Sequence, residues 1–370
     1  NWYLTPARYK NHDFIRYNNN NLDDIANAVS DFDIELKTPK NSLVTTDLNS
    51  TISNSNDSYE DYRLSGNNRT DFSLFIEPQM SFLSYKANGT EVLSNLKETK
   101  INTIQKDIII NGVVEYVHTL IGEYPHEKII VSQTDYERNP FYGLNQLPAF
   151  LSPFSDEFIF EIKFLKTYLN AYLKNSLRLD PRKDSWIYDG IQVYAMMQYI
   201  DTNYPNTKMF GSVAKLRLLK SYNLISLDFN EQYSYFYMLM ARKNLDQPLS
   251  DPKNKLIKFN EQIASKYRSG LSLRYLNDYI GNDYISTSIR EFYTINKKKQ
   301  VSSKDFEDIL FTNTDKDISW FFKTIIGSRE IIDYKFSKVS KTKDSITFSL
   351  KNKTGVFIPI PVYGLKKGEI

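Results

Sequence analysis

The stretch from Ser155 to Tyr199 constrains this chain more than any other. Phe158, Ile162, Leu165, Leu169 and Leu173 recur at helical spacing and predict one apolar stripe on a long helix, from Ser155 to about Ser176. Asp180-Pro181-Arg182-Lys183-Asp184 then reads as a short turn, and a second helix carries Trp186 to Tyr194. Lys166 and Asn170 fall on the flank of the stripe, with Ile159 and Leu177 beyond them, so both are expected to be at least partly buried. Glu157 and Glu161, spaced i,i+4, read as a solvated face.

The chain around this pair is long enough for two or three domains with their own cores, at 370 residues. Apolar residues make up 41% and charged residues 25%, which excludes a disordered or fibrous protein. A net charge of +3, with acids and bases interspersed, gives no footprint for nucleic acid or a membrane surface. No apolar run is long enough for a transmembrane segment. The sequence starts at Asn1 without a charged-then-apolar leader, so any targeting segment is expected to have been removed or to lie outside it. With no cysteine, disulfides, thiol nucleophiles and thiolate metal sites are excluded. The three histidines, His12, His118 and His126, all lie outside the two-helix stretch. His118 and His126 lack a second ligand-type residue at helical spacing and read as surface or packed side chains.

Residues 1–78 read as β. Phe32, Ile34 and Leu36 alternate with charged residues in a strand stopped by Pro39. Leu43 to Asp61 is polar and reads as a solvated loop, and strand character returns from Arg63 to Ile76. Strands are expected near Met80–Tyr85 and Lys128–Gln133, around a helix near Ile108–Ile121 ended by Gly122. Beyond residue 199 the chain is mostly helical. An aromatic segment from Tyr233 to Met240 reads as core, a helix spans Glu261 to Tyr279, and Ser302 with Asp305 resembles a capping box. A short helix from Asp317 to Ile326 closes at Gly327. Alternation then returns at Tyr334/Phe336 and Ile346/Phe348/Leu350, and Val356 to Val362, with two prolines, reads as an edge strand.

Several of these landmarks follow one another as they do in a known family. Phe32 to Pro39, Asp71-Phe72-Ser73, Gly122-Glu123-Tyr124-Pro125, Trp186 to Tyr194, Tyr267-Arg268-Ser269-Gly270 and Asp317 to Phe322 stand in that order. Together they resemble the gluzincin aminopeptidases, zinc metallopeptidases that include alanyl aminopeptidase and leukotriene A4 hydrolase. The resemblance implies an α+β chain. Its parts would be an incomplete N-terminal β domain (1–78), a thermolysin-like α/β peptidase-type domain (79–280), a helical segment (281–330) and the start of a C-terminal β domain (331–370).

The family holds zinc with His-Glu-x-x-His and a glutamate nineteen positions on. With Asp189 at the third-ligand position, the motif stands here as Lys166-Thr167-Tyr168-Leu169-Asn170, so the resemblance puts Lys166 and Asn170 in place of histidines and Thr167 in place of the general base. The exopeptidase motif resembles Gly143 to Pro148, with Gln146 where the family's Glu grips the substrate amine. Tyr267 alone keeps its family type, that of the transition-state-stabilising tyrosine. Zinc is therefore expected to be absent. Lys166 is expected either to bridge to Asp189 or to snorkel to solvent. The leading expectation is an inactive aminopeptidase-like protein that binds a protein or peptide partner or serves as a structural part of an assembly. A hydrolase using Tyr267 and Asp189, or a divergent metallo-aminopeptidase, is the alternative. By resemblance to bacterial members the address is periplasmic, secreted or cell-envelope, with a membrane-associated assembly among the options.

Overall fold

A computed structural model describes residues 3–10, 12–18, 24–98, 100–144, 153–212, 227–297 and 299–364. The chain opens with a two-residue ribbon, β1 (Tyr9–Lys10) against β2 (Asp13–Phe14). The predicted alternation then forms β3 (Ser30–Pro39), where Phe32, Ile34 and Leu36 are half-buried and the charged residues between them face water. Beyond it, β4 (Leu43–Thr46) and β5 (Asn49–Ser55) occupy the stretch expected to be loop. They are followed by β6 (Tyr59–Arg69) and β7 (Leu74–Glu77). β6 lies between β3 and β5, antiparallel to both, while β4 pairs with β7. The correction has a physical cause. β5 exposes nearly every side chain, so its ladder to β6 defines it and hydrophobic alternation does not. Leu48, Tyr62, Leu64 and Phe72 make a small core of their own here.

The next sheet runs β8 (Leu83–Ala87), β9 (Thr90–Ser94) and β10 (Lys128–Val131), with β9 in the centre. Asn88 and Gly89 both take positive φ, 47° and 76°, the backbone that a tight hairpin between β8 and β9 needs. β9 and β10 are parallel, joined across α1 (Thr103–Leu120) in a βαβ unit. Asn102 and Gln105 form a reciprocal capping box at its start, and Gly122 follows its end at φ 138°, where a Cβ would sit 2.8 Å from the Tyr293 ring.

A short helix, α2 (Gln133–Arg138), precedes α3 (Asp156–Ser176), which lies where the long helix was expected and whose first turn is capped by the Ser155 hydroxyl. The stripe Phe158, Ile162, Leu165, Leu169 and Leu173 is buried, but so are Phe160, Phe164, Tyr168 and Tyr172 on another side. α3 is thus apolar around most of its girth and lies inside the molecule. α4 (Ser185–Asn203) and α5 (Glu231–Ala241) follow, and α6 (Ser265–Ile280) is preceded by a π-helical turn, Asn260–Ala264. The Asn260 amide anchors that turn on the Leu245 carbonyl and Gln247. α4 and α6 cross closely because two glycines leave room. A Cβ on Gly270 would lie 2.3 Å from Val193 Cγ1, and one on Gly190 would lie 3.1 Å from Leu273 Cδ1.

α7 (Tyr284–Asn296) and α8 (Ser303–Thr312) close the helical body, and the Ser302/Asp305 box caps α8 as expected. A second π-helical segment, Phe321–Ile326, ends at Gly327. β11 (Tyr334–Lys341) and β12 (Ile346–Asn352) form an antiparallel ribbon. Val356 to Val362 is not a strand: Pro359 and Pro361 supply no ladder donors, and the Val356 carbonyl accepts from the Tyr334 hydroxyl and the Asn352 amide instead. Among the described residues, no helix is long and apolar enough to cross a membrane.

The glycine crossing gives a direct test. Gly270→Ala is expected to destabilise the protein by about 1–3 kcal/mol in urea unfolding, as Val193 must shift. Gly112→Ala on α1, with nothing within 4 Å of the new methyl, is expected to be neutral or to stabilise by up to about 1 kcal/mol.

Candidate functional site

α3, α4 and α6 meet at a cleft of about 450 Å³, whose wall includes Asn170, Asp189, Gln192, Lys253 and Lys266. Directly beneath, a recess of about 20 Å³ is lined by Lys166, Tyr233 and Tyr267, and Asn139, Gln192 and Lys266 line both spaces. The helices cross-link here through Gln192 on α4, whose amide donates to the Lys166 carbonyl on α3 at 2.9 Å.

Of the six residues singled out by the sequence, Asn170 and Asp189 line this cleft and Lys166 and Tyr267 line the recess. Lys166 is 8% exposed, and its amine donates to the Asn139 carbonyl at 2.6 Å. Thr167 is buried and its hydroxyl returns to the Lys163 carbonyl of its own helix. Asn170 is exposed at the mouth, in contrast to the burial expected from its helical position, because the cleft opens on that side of α3. Asp189 is partly buried on α4. The Tyr267 ring packs edge-on against Tyr233, and its hydroxyl donates to the Tyr142 carbonyl at 3.4 Å. Gln146 lies outside the described residues.

The expected Lys166–Asp189 bridge is replaced by another. Lys266, on the first turn of α6, stands 3.9 Å from Asp189, and its amine also donates to the Asn139 side chain at 3.2 Å. Burial pushes the Lys166 amine well below its ordinary range, and the charge of Lys266 pushes the same way, with Asp189 opposing both. Burial also lowers Lys266, against the pull of Asp189. Burial raises the Tyr267 phenol. The solvated face expected at Glu157 and Glu161 holds only for Glu157. Glu161 is buried and accepts the hydroxyls of Tyr199 and Tyr204, two tyrosines brought to it by α4 and its C-terminal end. His118 is half-buried on α1, and His126 packs edge-on against Tyr124.

Sequence reasoning missed Lys266, Lys253 and Asn139. Lys266 precedes Tyr267 in a stretch already marked by motif, so its adjacency was a usable signal. Asn139 and Lys253 come from connecting segments and carry none.

The overall arrangement is an M1-peptidase-like fold. No protein-family model matches the sequence, and no curated protein matches it. Among solved structures, an M1 zinc metallopeptidase from Deinococcus radiodurans aligns at TM-score 0.55 and 10% identity, over 82% of this chain and 65% of its own. A mutant of that enzyme bound to a Tyr-Ser-Ala substrate aligns at TM-score 0.55 and 12% identity, with the same coverage. A two-domain M1 zinc metallopeptidase mutant bound to L-tryptophan aligns at TM-score 0.54 and 12% identity. This chain therefore spans slightly less than two thirds of the length of these structures.

Among the described residues, no group of three or more His, Asp or Glu side chains is placed to hold a metal. The buried amines make a testable statement about pH. A lysine neutral in the folded protein but protonated when unfolded adds stability as pH rises toward its unfolded value near about 10.5, at up to about 1.4 kcal/mol per pH unit. Over the pH range just below that value the unfolding free energy of Lys166→Met is expected to rise less steeply than that of the parent protein. Parallel stability profiles from chemical denaturation would contradict this.

Proposed function

We propose that this chain is a catalytically inactive, M1-peptidase-like protein whose cleft binds a peptide or a segment of a protein partner. The reading includes a role as a component of a bacterial cell-envelope assembly, in the periplasm or outside the cell. The observation that carries it is the lysine at 166, where the family's first zinc-binding histidine would stand. Lysine is not among the side chains that hold zinc, the Lys166 amine is turned onto the Asn139 carbonyl, and the charge of Lys266 acting on it adds repulsion against a dication. Asn170 offers an amide, a poor zinc ligand, and Thr167, hydrogen-bonded to its own helix, is no general base. Asp189 is the one metal-ligand type in the set, and it faces Lys266. These residues do not fit zinc, and no catalytic step is derived through it.

A hydrolase built on Tyr267 and Asp189 gains no support. The tyrosine's hydroxyl is held by a carbonyl with its acidity suppressed by burial, and the carboxylate is opposite an amine. A peptide ligand is in keeping with the Tyr-Ser-Ala complex of the M1 neighbour.

Purified protein is expected to carry no stoichiometric zinc by elemental analysis and to leave amino-acyl anilides uncleaved. Zinc accompanied by turnover would sink the proposal. Combining Lys166→His, Thr167→Glu, Asn170→His and Asp189→Glu is expected to create zinc uptake that the parent lacks. Continued failure to bind zinc in the folded variant would refute the assignment of these positions.

A further inference from the structure

We propose that the cleft is an anion site that takes the carboxylate of a peptide ligand between Lys266 and Lys253, with Lys166 behind them in the recess. The proposal rests on the binding reading above and adds the chemistry of what is bound.

The first observation is an imbalance of partners. Among the described residues, Asp189 is the only carboxylate within 4.0 Å of any of the three amines, and it lies 3.9 Å from Lys266. A lysine has three donors and no acceptor. Lys166 spends one of them, on the Asn139 carbonyl, and Lys266 spends one on the Asn139 side chain beside its long contact to Asp189. Lys166 and Lys266 are 8% and 9% exposed, so their remaining donors have little access to water. Lys253, half-buried on the wall of the same cleft, is near enough for its charge to act on both. Burial works against the charge on these amines, with Asp189 and Glu261 opposing it at Lys266, and an anion that brings acceptors with it restores that charge.

The second observation is what surrounds the amines. The cleft above them is open at about 450 Å³, large enough for a short peptide segment and much larger than a single ion needs. Ser185, in the first turn of α4, lines it too. That turn has no side-chain cap, because Asp184 at its N-cap spends its carboxylate on the backbone and hydroxyl of Ser303. In the recess below, the Tyr233 hydroxyl is buried without a partner and Tyr267 stands beside it. Both amines converge on Asn139, one on its carbonyl and one on its side chain, with Lys266 lining the cleft and Lys166 the recess, so an oxygen pair entering from the cleft meets the Lys266 amine and has Lys253 on the same wall. A carboxylate has that pair of oxygens.

The free C-terminal carboxylate of a peptide and a Glu or Asp side chain share this chemistry, and the test separates them. Titration calorimetry of the intact chain would compare N-acetyl-Gly-Gly-Gly as free acid, the same peptide as C-terminal amide, and N-acetyl-Gly-Glu-Gly-amide. The expected result is binding of one or both carboxylate peptides, with the neutral amide weaker by about tenfold or more. Lys266→Met and Lys253→Met are each expected to lower that affinity by about tenfold, and Lys335→Met, on exposed β11, to leave it unchanged. Circular dichroism would confirm that each variant is folded, and the half-buried Lys253 keeps the test available if Lys266→Met is not. Equal binding of acid and amide would overturn the proposal while leaving the binding reading in place. So would binding of inorganic phosphate with none of either carboxylate peptide. Zinc with turnover, measured separately, would instead defeat the reading beneath it.

Discussion

Where Gly270 meets Val193, and Gly190 meets Leu273 and Ser269, α4 and α6 approach until side chain touches backbone. The groups that α4 and α6 place on the cleft wall are set by this approach. Asp189 stands one residue before Gly190, and Lys266 and Tyr267 stand about one turn before Gly270, so the approach of the helices governs the distance between carboxylate and amine. A larger residue at either glycine would widen the crossing and pull the pair apart. The glycines thus fix how closely the two helices pack, whatever side chains flank them. What they preserve is a spacing, and a spacing is indifferent to the chemistry hung on it.

Charge is managed inside this helical body by neutral groups as much as by opposite charges. Asn139 serves two lysines with one residue, and Glu161 is held in α3 by two tyrosine hydroxyls rather than by a cation. The abundance of tyrosine, 27 in the chain, has its use here: each buried ring fills volume while its hydroxyl supplies a donor. The turn between α3 and α4 is handled differently. Arg182 forks onto Asp24 in a buried pair with contacts of 3.0 and 2.6 Å, fastening the N-terminal segment to the base of the cleft.

Much of the scaffold could be read from residues alone, and the reasons differ by element. The alternation through Phe32, Ile34 and Leu36 is legible because one face of β3 is buried and the other is not. The start of α3 is legible because Ser155 is followed at once by a helical stripe, and Ser302 with Asp305 marks α8 in the same way. β5 is illegible to any hydrophobic pattern because it has no apolar face. The Asn88-Gly89 turn was a readable signal for β9, since both residues sit at positive φ. At the cleft, Asn170 and Asp189 were singled out from the sequence, but the partners they would meet were not. Lys266 arrives from a helix far along the chain, and Asn139 from a connection, so the replacement of a Lys166–Asp189 pair by Lys266–Asp189 is a tertiary fact. Glu161 misleads for the same reason: helical periodicity on α3 cannot know that Tyr199 and Tyr204 will cover it.

The π-helical turn at Asn260–Ala264 carries a consequence of its own. A π turn holds one residue more than the α-helix it interrupts, and it leads straight into Lys266 and Tyr267. Removing that residue would rewind α6 by about 100° at this end and carry the amine and the phenol off the wall together. The cleft's character is in this sense written as an insertion: one extra amino acid, pinned by Asn260, sets the phase of the helix and so decides which side chains the cavity sees.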